Sequence, residues 1–366
     1  MSSADVAILD APPGTHLDPD EYVRAAMRWH FGEETGSTFW LSRKDSLGFD
    51  PVRDVRGFAD LASFPNVAEE LRDVRAEDLI PRGYAGAAQV IGVFESGGTT
   101  GAPKRVVFLD DWVEREMAWQ YASCTAYGIR PGMNWLALAP TGPHMIGDYL
   151  GRTAARFGSI RYAVDMDPRW VKRLLRDGKA EEAEAYTEHL VSQAGDLLRS
   201  QNIGVIATTP PMLERLSRYD ELVELINRKV EVVLWAGAHL DADSRHLFRT
   251  EVFPTIALYG LYGNTMTLGA SPERLGGDDD LCVFDANSPF VSYSVVDPET
   301  REPVPYGERG QIVTSHVSKS ALLPNNAERD EGTRIKPPAG GAGDSVADVA
   351  PLKALVDAGA ITVGVY

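Results

Sequence analysis

The chain predicts an α/β fold in which parallel sheets are covered by helices, and two observations lead to this prediction. Between residues 86 and 270, short apolar runs typical of buried strands alternate with longer segments that have the apolar spacing of helices. Such alternation favours parallel strands that are joined by crossover helices. A chain of 366 residues also exceeds the usual size of one hydrophobic core, so we expect more than one subdomain.

The expected elements can be placed in order up to residue 270. Residues 1 to about 20 are rich in Pro and Asp, which predicts a disordered or surface segment. Helical patterns at 20–31 and 67–80 are interrupted, so we expect residues 1–85 to form helices and loops. In the α/β core, residues 86–270, the expected strands are 87–94, 134–139, 159–164, 204–208, 230–235 and 255–258, and the expected helices are 110–126, 179–201 and 211–227.

The pattern changes after about residue 270. Residues 290–296 and 310–317 are typical of antiparallel strands, and the turn-rich segment 297–309 lies between them. Residues 325–342 contain paired asparagines, several charged residues and a Pro-Pro-Ala-Gly-Gly run, which predicts a mobile loop that leads to Asp344. Residues 271–366 are therefore expected to form a β-rich subdomain.

Composition and charge argue against several classes of function. The chain has 36 Lys and Arg against 53 Asp and Glu, and its net charge of −17 disfavours binding to nucleic acid or to anionic membranes. No apolar run has the length of a membrane span, and residues 1–20 lack the pattern of a secretory signal. Cys124 and Cys282 are expected to be buried thiols, and no His/Cys cluster has zinc-ligand spacing. We expect a cytoplasmic protein with no nucleic-acid or membrane partner.

The strongest candidate for a binding site is a loop between an expected strand and an expected helix. It reads Ser96-Gly97-Gly98-Thr99-Thr100-Gly101-Ala102-Pro103-Lys104. Glycines let backbone N–H groups approach an anion, threonine hydroxyls add donors and the lysine adds a positive charge. The loop is not a Walker P-loop, because no Gly-Lys-Ser/Thr follows at the required spacing. An ordinary turn is the alternative, and the other segments of the chain favour an anion site.

Four segments in order resemble the adenylate-forming superfamily, which includes acyl- and aryl-CoA ligases, adenylation domains of peptide synthetases and luciferases. The loop is similar to that family's phosphate loop, except that Gly97 replaces the usual second serine. The resemblance covers about residues 85–366, and residues 140–147 resemble the start of the substrate-side helix in the phenylacetate-CoA ligase-like branch. The other three matching segments are 234–239, which resembles the turn that packs against adenine, 262–266, which resembles the Tyr-Gly-x-Thr-Glu motif, and 343–344, which resembles the end of the Thr-Gly-Asp segment.

The resemblance implies a large domain with a small distorted β-barrel and an ATP site. Thr265 is expected to donate to the α-phosphate, and Asp344 is expected to accept hydrogen bonds from the ribose hydroxyls. The expected nucleotide-binding residues are Ser96, Gly97, Gly98, Thr99, Thr100, Gly101 and Lys104 at the phosphates, Gly237, Ala238, His239 and Tyr262 at the adenine, and Gly263, Asn264, Thr265 and Asp344. The expected catalytic residues are Lys104, Thr265 and His144, and the expected substrate pocket contains Trp135, His144, Trp235, Gly260 and Met266.

Several of these assignments have a plain alternative. Residues such as Trp135, Trp235 and Met266 belong to the hydrophobic core more often than to a pocket, and His144 can equally be an inert residue at the start of a helix. Met266 stands where the family has a glutamate that helps to hold Mg²⁺, and a thioether is a poor ligand for this hard cation. The resemblance also implies a mobile C-terminal domain with a catalytic lysine, and the sequence given stops at Tyr366, before that domain is expected to begin.

These observations predict an AMP-forming ligase that uses ATP and Mg²⁺. Its expected reaction is the activation of a small carboxylic acid, expected to be an aryl acid, as an acyl-adenylate with release of pyrophosphate. The acceptor would be coenzyme A, a carrier-protein thiol or an amine. Two alternatives stay open: ATP-dependent activation of nitrite for diazotisation of an aromatic amine, and a degenerate nucleotide-binding module without catalysis.

Overall fold

The structure, a computed structural model, describes residues 2–96, 102–276 and 281–357, and three β-sheets are found among them. Strands β1 (Val90–Glu95) and β2 (Arg105–Leu109) form an antiparallel pair. The largest sheet has six strands in the order β4-β3-β5-β6-β7-β8, of which the first five are parallel and β8 is antiparallel. Its strands are β3 (Trp135–Ala139), β4 (Arg161–Asp165), β5 (Val205–Thr208), β6 (Val232–Ala236), β7 (Ala257–Asn264) and β8 (Gly269–Pro272).

A curved antiparallel sheet of five strands forms a half-barrel beside the parallel sheet. Its strand order is β10-β11-β12-β13-β9. The predicted fold class, a helix-covered parallel sheet together with a small distorted barrel, is confirmed. The strands of the half-barrel are β9 (Val283–Phe284), β10 (Val291–Val296), β11 (Arg309–Val317), β12 (Leu322–Ile335) and β13 (Ser345–Pro351).

The helices cover both faces of the parallel sheet. Predicted helices 110–126 and 179–201 are confirmed, and predicted helix 211–227 is divided into two short helices around residues 218–219. None of the helices in the described ranges is long and apolar enough to cross a membrane. The helices are α1 (Ser3–Leu9), α2 (Pro19–His30), α3 (Thr38–Leu41), α4 (Pro51–Asp54), α5 (Asp110–Ala126), α6 (Met145–Arg156), α7 (Pro168–Arg176), α8 (Ala180–Ser200), α9 (Pro210–Ser217), α10 (Asp220–Lys229), α11 (Ala242–Leu247) and α12 (Lys353–Asp357).

The parallel strands are apolar along their whole length because both of their faces are buried. On β3, Leu136 and Leu138 face one hydrophobic cluster, while Trp135 and Ala137 face a second cluster on the opposite side. Such continuous apolar runs are typical of parallel sheets with helices on both faces. The short central strands were therefore readable from the sequence.

Two local predictions were wrong. The strand predicted at 87–94 does not join the parallel sheet, since β1 pairs antiparallel with β2 in a separate ribbon. The predicted loop 325–342 is largely strand, because residues 325–335 continue β12 between β11 and β13. Asparagines and charges are depleted in strands, but here many of these side chains lie on a half-exposed face, where they keep contact with water.

Candidate functional site

A cavity opens at the carboxyl edge of the parallel sheet, where β3, β5, β6 and β7 end. Ligands of open α/β sheets bind at this edge. One wall of the cavity is apolar and consists of Ala139, Ile146, Leu150, Ala207, Leu234, Leu261 and Ala270. The polar part of the lining includes Arg72, Glu95, Ser96, Lys104, His144, Thr265, Glu328 and Arg329.

The structure brings only part of the predicted site to this cavity. The predicted residues that line it are Ser96, Lys104, His144, Gly237, Gly263, Asn264, Thr265 and Met266. Those that do not line it are Trp135, Ala238, His239, Trp235, Gly260, Tyr262 and Asp344. The predicted phosphate contacts Gly97, Gly98, Thr99, Thr100 and Gly101 lie outside the described residues.

The two ends of the predicted phosphate loop are joined by hydrogen bonds. The Ser96 N–H donates to the carbonyl of Lys104 at 3.0 Å, and the Lys104 N–H donates to the Ser96 hydroxyl at 3.0 Å. These bonds continue the antiparallel pairing of β1 and β2. The Lys104 ammonium forms an ion pair with Glu69 at 3.0 Å. The loop is therefore closed at its base, with one cation directed to the cavity.

The turn after β7 presents a threonine and a methionine to the same cavity. The Asn264 side chain accepts hydrogen bonds from the N–H groups of Met266 at 2.7 Å and Thr267 at 3.1 Å, and this arrangement ends the strand. The Thr265 hydroxyl donates to the carbonyl of Glu95 at 3.2 Å. Met266 is 5% exposed and also contacts the hydrophobic core. The turn is therefore hydrogen-bonded to β1, the strand that precedes the predicted phosphate loop.

His144 lies at the start of α6 with its side chain buried against the cavity. No hydrogen bond to its ring is found among the described residues, although its backbone N–H donates to Thr141. Burial, and then the positive charge of Arg169, lower the pKa of His144 below its ordinary value. The imidazole is therefore neutral at physiological pH and can both donate and accept a hydrogen bond.

A bulge in β12 directs charged side chains toward the cavity, and no local sequence pattern predicts this bulge. Gln311 pairs with Glu331 and Val313 with Ala327, so that three residues, 328–330, lie opposite the single residue between Gln311 and Val313. β-Bulges bend a strand and redirect its side chains, often beside active sites. Glu328 and Arg329 consequently line the cavity in the middle of a strand.

The bulge carries two carboxylates, Glu328 and Asp330, and each is hydrogen-bonded to a hydroxyl group. The Glu328 carboxylate accepts a hydrogen bond from the Thr314 hydroxyl at 2.7 Å, and burial raises the pKa of Glu328. The Tyr262 hydroxyl donates to Asp330 at 3.3 Å. Burial, and then repulsion by Glu328, raise the pKa of Asp330 to about 7. Asp330 therefore changes its charge near neutral pH, directly beside the aromatic residue predicted at the adenine.

Asp344 is held inside the half-barrel. Its carboxylate pairs with the Arg334 guanidinium at 2.9 Å and accepts the Val295 N–H at 3.2 Å, and the residue is 4% exposed. The preceding Gly343 has a φ of +76°, and a Cβ there would lie 2.4 Å from the carbonyl of Tyr293. The Gly-Asp pair thus has a structural reason to exist, namely close contact between this turn and β10.

Of the other predicted residues outside the cavity, the two tryptophans and Gly260 lie in the core, and Ala238 and His239 lie in the turn after β6. Trp135 is fully buried. Trp235 packs edge-on against Phe284, and a Cβ on Gly260 would lie 2.6 Å from the Trp235 ring. His239, which follows Ala238, contacts the carbonyl of Val349 through Nδ1 at 2.7 Å. The structure thus gives these residues packing contacts, and their predicted ligand contacts remain predictions.

The described residues contain no group of three or more His, Cys, Asp or Glu side chains that could hold a metal ion. Two carboxylates line the cavity. Glu95 is already paired with Arg105 at 2.9 Å and Arg169 at 2.8 Å, whereas Glu328 accepts a neutral hydroxyl. Because Mg²⁺ prefers oxygen ligands and binds through one or two carboxylates together with phosphates, Glu328 fits such an ion better than Met266 does.

Comparisons with known proteins identify the fold. No protein-family model matches the chain, and no curated protein matches it. A structure of 2-hydroxyisobutyryl-CoA ligase in an open conformation, in complex with 2-HIB-AMP and CoA, is similar with a TM-score of 0.63 and 14% identity over 92% of this chain and 72% of that chain. The same ligase in the thioesterification state, with the same ligands, gives a TM-score of 0.61 and 14% identity over 96% and 72%. At this identity the likeness establishes a shared fold.

Proposed function

We propose that the chain binds ATP and activates a carboxylic acid as an acyl-adenylate. In this reaction a carboxylate oxygen of the acid attacks the α-phosphorus of ATP, the bond from that phosphorus to the bridging oxygen breaks, and pyrophosphate leaves with the electron pair. The observation that supports the proposal most strongly is the cavity, which combines an apolar wall with the base of a glycine-rich loop and a Thr265 turn. The shared fold with a ligase that holds an acyl-AMP and CoA supports it further.

The nucleotide would lie between the sheet and the half-barrel. Ser96 and Lys104 lie at the two ends of the loop that would hold the phosphates. Thr265, in the turn after β7, lines the same cavity. Positioning and charge neutralisation at the phosphates are the main contributions that a protein makes to such a transfer. The residues proposed at the adenine are Gly237, Ala238, His239, Tyr262, Gly263 and Asn264.

We assign the ribose to Asp330 rather than to Asp344. A carboxylate accepts hydrogen bonds well from two neighbouring hydroxyls. Asp330 lies beside Tyr262, whereas both oxygens of Asp344 already have partners, Arg334 and the Val295 N–H. The bulge in β12 would thus supply the function that the sequence alone placed on the Gly-Asp turn.

The acid would occupy the apolar wall between β5, β6 and α6. Ala139 and Ala207 are small, Ile146 and Leu150 of α6 are aliphatic, and all four line the cavity, so this lining suits an aryl or similarly compact acid. Neutral His144 at the head of α6 is placed to donate a hydrogen bond to the carboxylate of the substrate. The chemistry of the wall favours a ring without charged substituents.

A divalent cation would neutralise charge on the phosphates when it is bound, and Glu328 is the residue that would hold it. The acceptor of the acyl group is proposed to be a thiol, since the structural neighbour is a CoA ligase in complex with CoA. We also propose the division of the chain into residues 1–85, 86–270 and 271–366, with the nucleotide between the second and third parts.

Isotope exchange between ATP and pyrophosphate tests the proposal directly. Exchange should require both MgATP and an acid, and benzoate-type acids should support it better than acetate or propionate. Lys104→Ala should lower the exchange, and Lys179→Ala, which removes an exposed lysine paired with Glu182 at 2.8 Å, serves as the control. Binding of ATP without exchange by any acid, under conditions in which the protein is folded, would contradict the activity and favour a nucleotide-binding module.

A further inference from the structure

The Thr265 turn, residues 265–268 between β7 and β8, contains a residue in an unfavourable backbone conformation. Leu268 has a φ of +53° and is fully buried. A residue with a Cβ adopts this left-handed region only at an energetic cost, and the conformation persists where the surrounding structure holds it. The same turn carries Thr265 and Met266 into the cavity. The contacts that hold Leu268 therefore also place these two residues.

Two side chains from different helices hold the carbonyl of Leu268. The Trp112 Nε1–H of α5 and the Tyr149 hydroxyl of α6 both donate to this oxygen, each at 2.7 Å. A carbonyl oxygen has two lone pairs, so both of them are used. Trp112 is 1% exposed and Tyr149 is 5% exposed, and water therefore does not compete with either bond. The strained residue is thus fixed from two sides.

A third side chain, from the half-barrel, holds the preceding residue of the turn. His316 of β11 is fully buried, and burial lowers the pKa of His316 to about 3, so the imidazole is neutral at physiological pH. Its Nδ1 lies 2.9 Å from the carbonyl oxygen of Thr267, and its Nε2 lies 2.8 Å from the Ser318 hydroxyl. Because a carbonyl can only accept, Nδ1 carries the proton and donates to Thr267. Three buried donors therefore hold two consecutive carbonyls.

The helix that carries Tyr149 also forms part of the proposed acid site. Ile146 and Leu150 of α6 line the cavity, and His144 directly precedes this helix. Tyr149 is not among the described residues that line the cavity. Its hydroxyl therefore connects the helix of the acid site with the turn that carries Thr265, and removal of this hydroxyl changes the support of the turn while every lining side chain is kept.

We propose that Tyr149 is a positioning residue that holds the Thr265 turn in the geometry needed to contact the α-phosphate of ATP. This inference rests on the proposed function and on the expectation that Thr265 donates to that phosphate. The Thr265 hydroxyl donates to the carbonyl of Glu95 at 3.2 Å, which is long for a hydroxyl donor, so a phosphate oxygen can replace this acceptor. Small displacements of a group that contacts the reacting centre have large effects on transfer. Tyr149 thus acts through Thr265.

The experiment compares Tyr149→Phe with Tyr127→Phe by calorimetry, using AMP and adenosine as separate probes. Each variant removes one buried hydroxyl that donates to a backbone carbonyl, that of Leu268 at 2.7 Å in the first and that of Glu273 at 2.6 Å in the second. We expect Tyr149→Phe to raise the Kd for AMP about fivefold, the effect of losing one ordinary hydrogen bond, and to change the Kd for adenosine less than about twofold. Tyr127→Phe should leave both values unchanged.

A double-mutant cycle tests whether Tyr149 acts through Thr265. Thr265→Val removes the hydroxyl and keeps the shape of the side chain. In the Thr265→Val background, we expect Tyr149→Phe to change the Kd for AMP less than about twofold, because the group that it positions is already absent. Urea denaturation should show similar losses of stability in Tyr149→Phe and Tyr127→Phe, since each loses one hydrogen bond of the same kind.

Three results would overturn the inference. Equal losses for AMP and adenosine in Tyr149→Phe would show a general disturbance of the site, as would equal losses in Tyr127→Phe. Additive effects of Tyr149→Phe and Thr265→Val would mean that the two residues act separately. Unchanged AMP affinity in a folded Tyr149→Phe protein would show that Trp112 and His316 hold the turn without Tyr149. Failure of the wild-type protein to bind AMP would instead contradict the proposed function itself, so the two failures are distinguishable.

Discussion

The parallel sheet and the half-barrel contribute different kinds of groups to the same cavity. The parallel sheet contributes strand ends, namely the apolar wall of β5 and β6 and the Thr265 turn after β7. The half-barrel contributes charged side chains from the middle of a strand, Glu328 and Arg329 in the bulge of β12. One sheet therefore builds its part of the site from backbone turns, and the other builds its part from an irregularity in pairing.

This difference decides what a mutation in each sheet should affect. In the half-barrel, Asp344 and Asp330 lie only fourteen residues apart in sequence but have opposite surroundings, since one is paired in the interior and the other faces Tyr262 near the cavity. A substitution of the first should therefore affect stability, and a substitution of the second should affect binding.

The largest expected effect is the loss of stability in Asp344→Ala. The change leaves the Arg334 guanidinium without its carboxylate and the buried Val295 N–H without an acceptor. Because Arg334 retains its bond to the carbonyl of Val304, we expect a loss of about 3 kcal/mol in the free energy of unfolding, measured by urea denaturation. Asp148→Ala, which removes a half-exposed ion pair to Arg152 within α6, should cost less than about 1 kcal/mol. A folded Asp344→Ala protein of normal stability that fails to bind AMP would restore the ribose assignment to Asp344.

The second prediction concerns the seam between the two sheets, where Glu116 of α5 is buried. Its carboxylate accepts the Ala270 N–H at 3.1 Å, from β8, and a hydrogen bond from the Asn287 side chain at 3.2 Å, from the segment between β9 and β10 of the half-barrel. Burial outweighs these bonds and raises the pKa of Glu116 from 4.5 to about 7. The folded state therefore holds a proton that the unfolded state has released, and the contribution of Glu116 to stability falls as pH rises from about 4.5 to about 7.

Glu116→Gln removes this titration and isolates its contribution to stability. The free energy of unfolding of wild type should fall as pH rises from 5 to 8, whereas that of Glu116→Gln should not show this fall. The difference between variant and wild type should therefore change by about 2–3 kcal/mol in favour of the variant over this range. Glu114→Gln, an exposed position on the same helix that pairs with Arg156, is the matched control for loss of one charge. Parallel pH profiles for wild type and Glu116→Gln would mean that the carboxylate is ionised when folded and that the seam is more polar than its burial indicates.

The third prediction is the binding counterpart of the first. Asp330→Ala should weaken the binding of AMP by about 1.5–3 kcal/mol, because a charged acceptor for the ribose hydroxyls is lost. Glu331→Ala changes the next residue, which lies in an ion pair with Arg309, and should leave AMP affinity unchanged. Calorimetry with AMP measures both. Unchanged affinity in a folded Asp330→Ala protein would remove Asp330 from the nucleotide site.

The sequence predicted the parallel sheet, and the turns that reach the cavity from β1, β2 and β7, far better than it predicted the bulge of the half-barrel. Ser96, Lys104 and Thr265 belong to turns at strand ends, where glycine, threonine and short motifs have a local signature, and all three line the cavity. Glu328 and Asp330 belong to a run of charges that is typical of a loop, and only the pairing of β11 with β12 reveals the bulge. A bulge is a property of two strands, so neither strand encodes it alone. The Gly-Asp turn shows the converse, because the same two residues that resemble a ligand motif also satisfy a packing requirement.

The smallest expected effect is a pH dependence of nucleoside binding that isolates the charge of Asp330. Because burial and Glu328 raise the pKa of Asp330 to about 7, the group is mostly ionised at pH 8 and mostly protonated at pH 6. Ribose hydroxyls donate best to the ionised form, so affinity should fall as pH is lowered through 7. Adenosine is the appropriate probe, since it lacks a phosphate that would titrate in the same range. We expect its Kd to rise about tenfold from pH 8 to pH 6 in the wild type and to stay constant in Asp330→Asn. A different result is a wild-type Kd for adenosine that does not change with pH while Asp330→Ala still weakens AMP binding. The carboxylate would then bind the ribose but stay ionised at pH 6, because the half-barrel places more positive charge near it than Arg329 alone supplies.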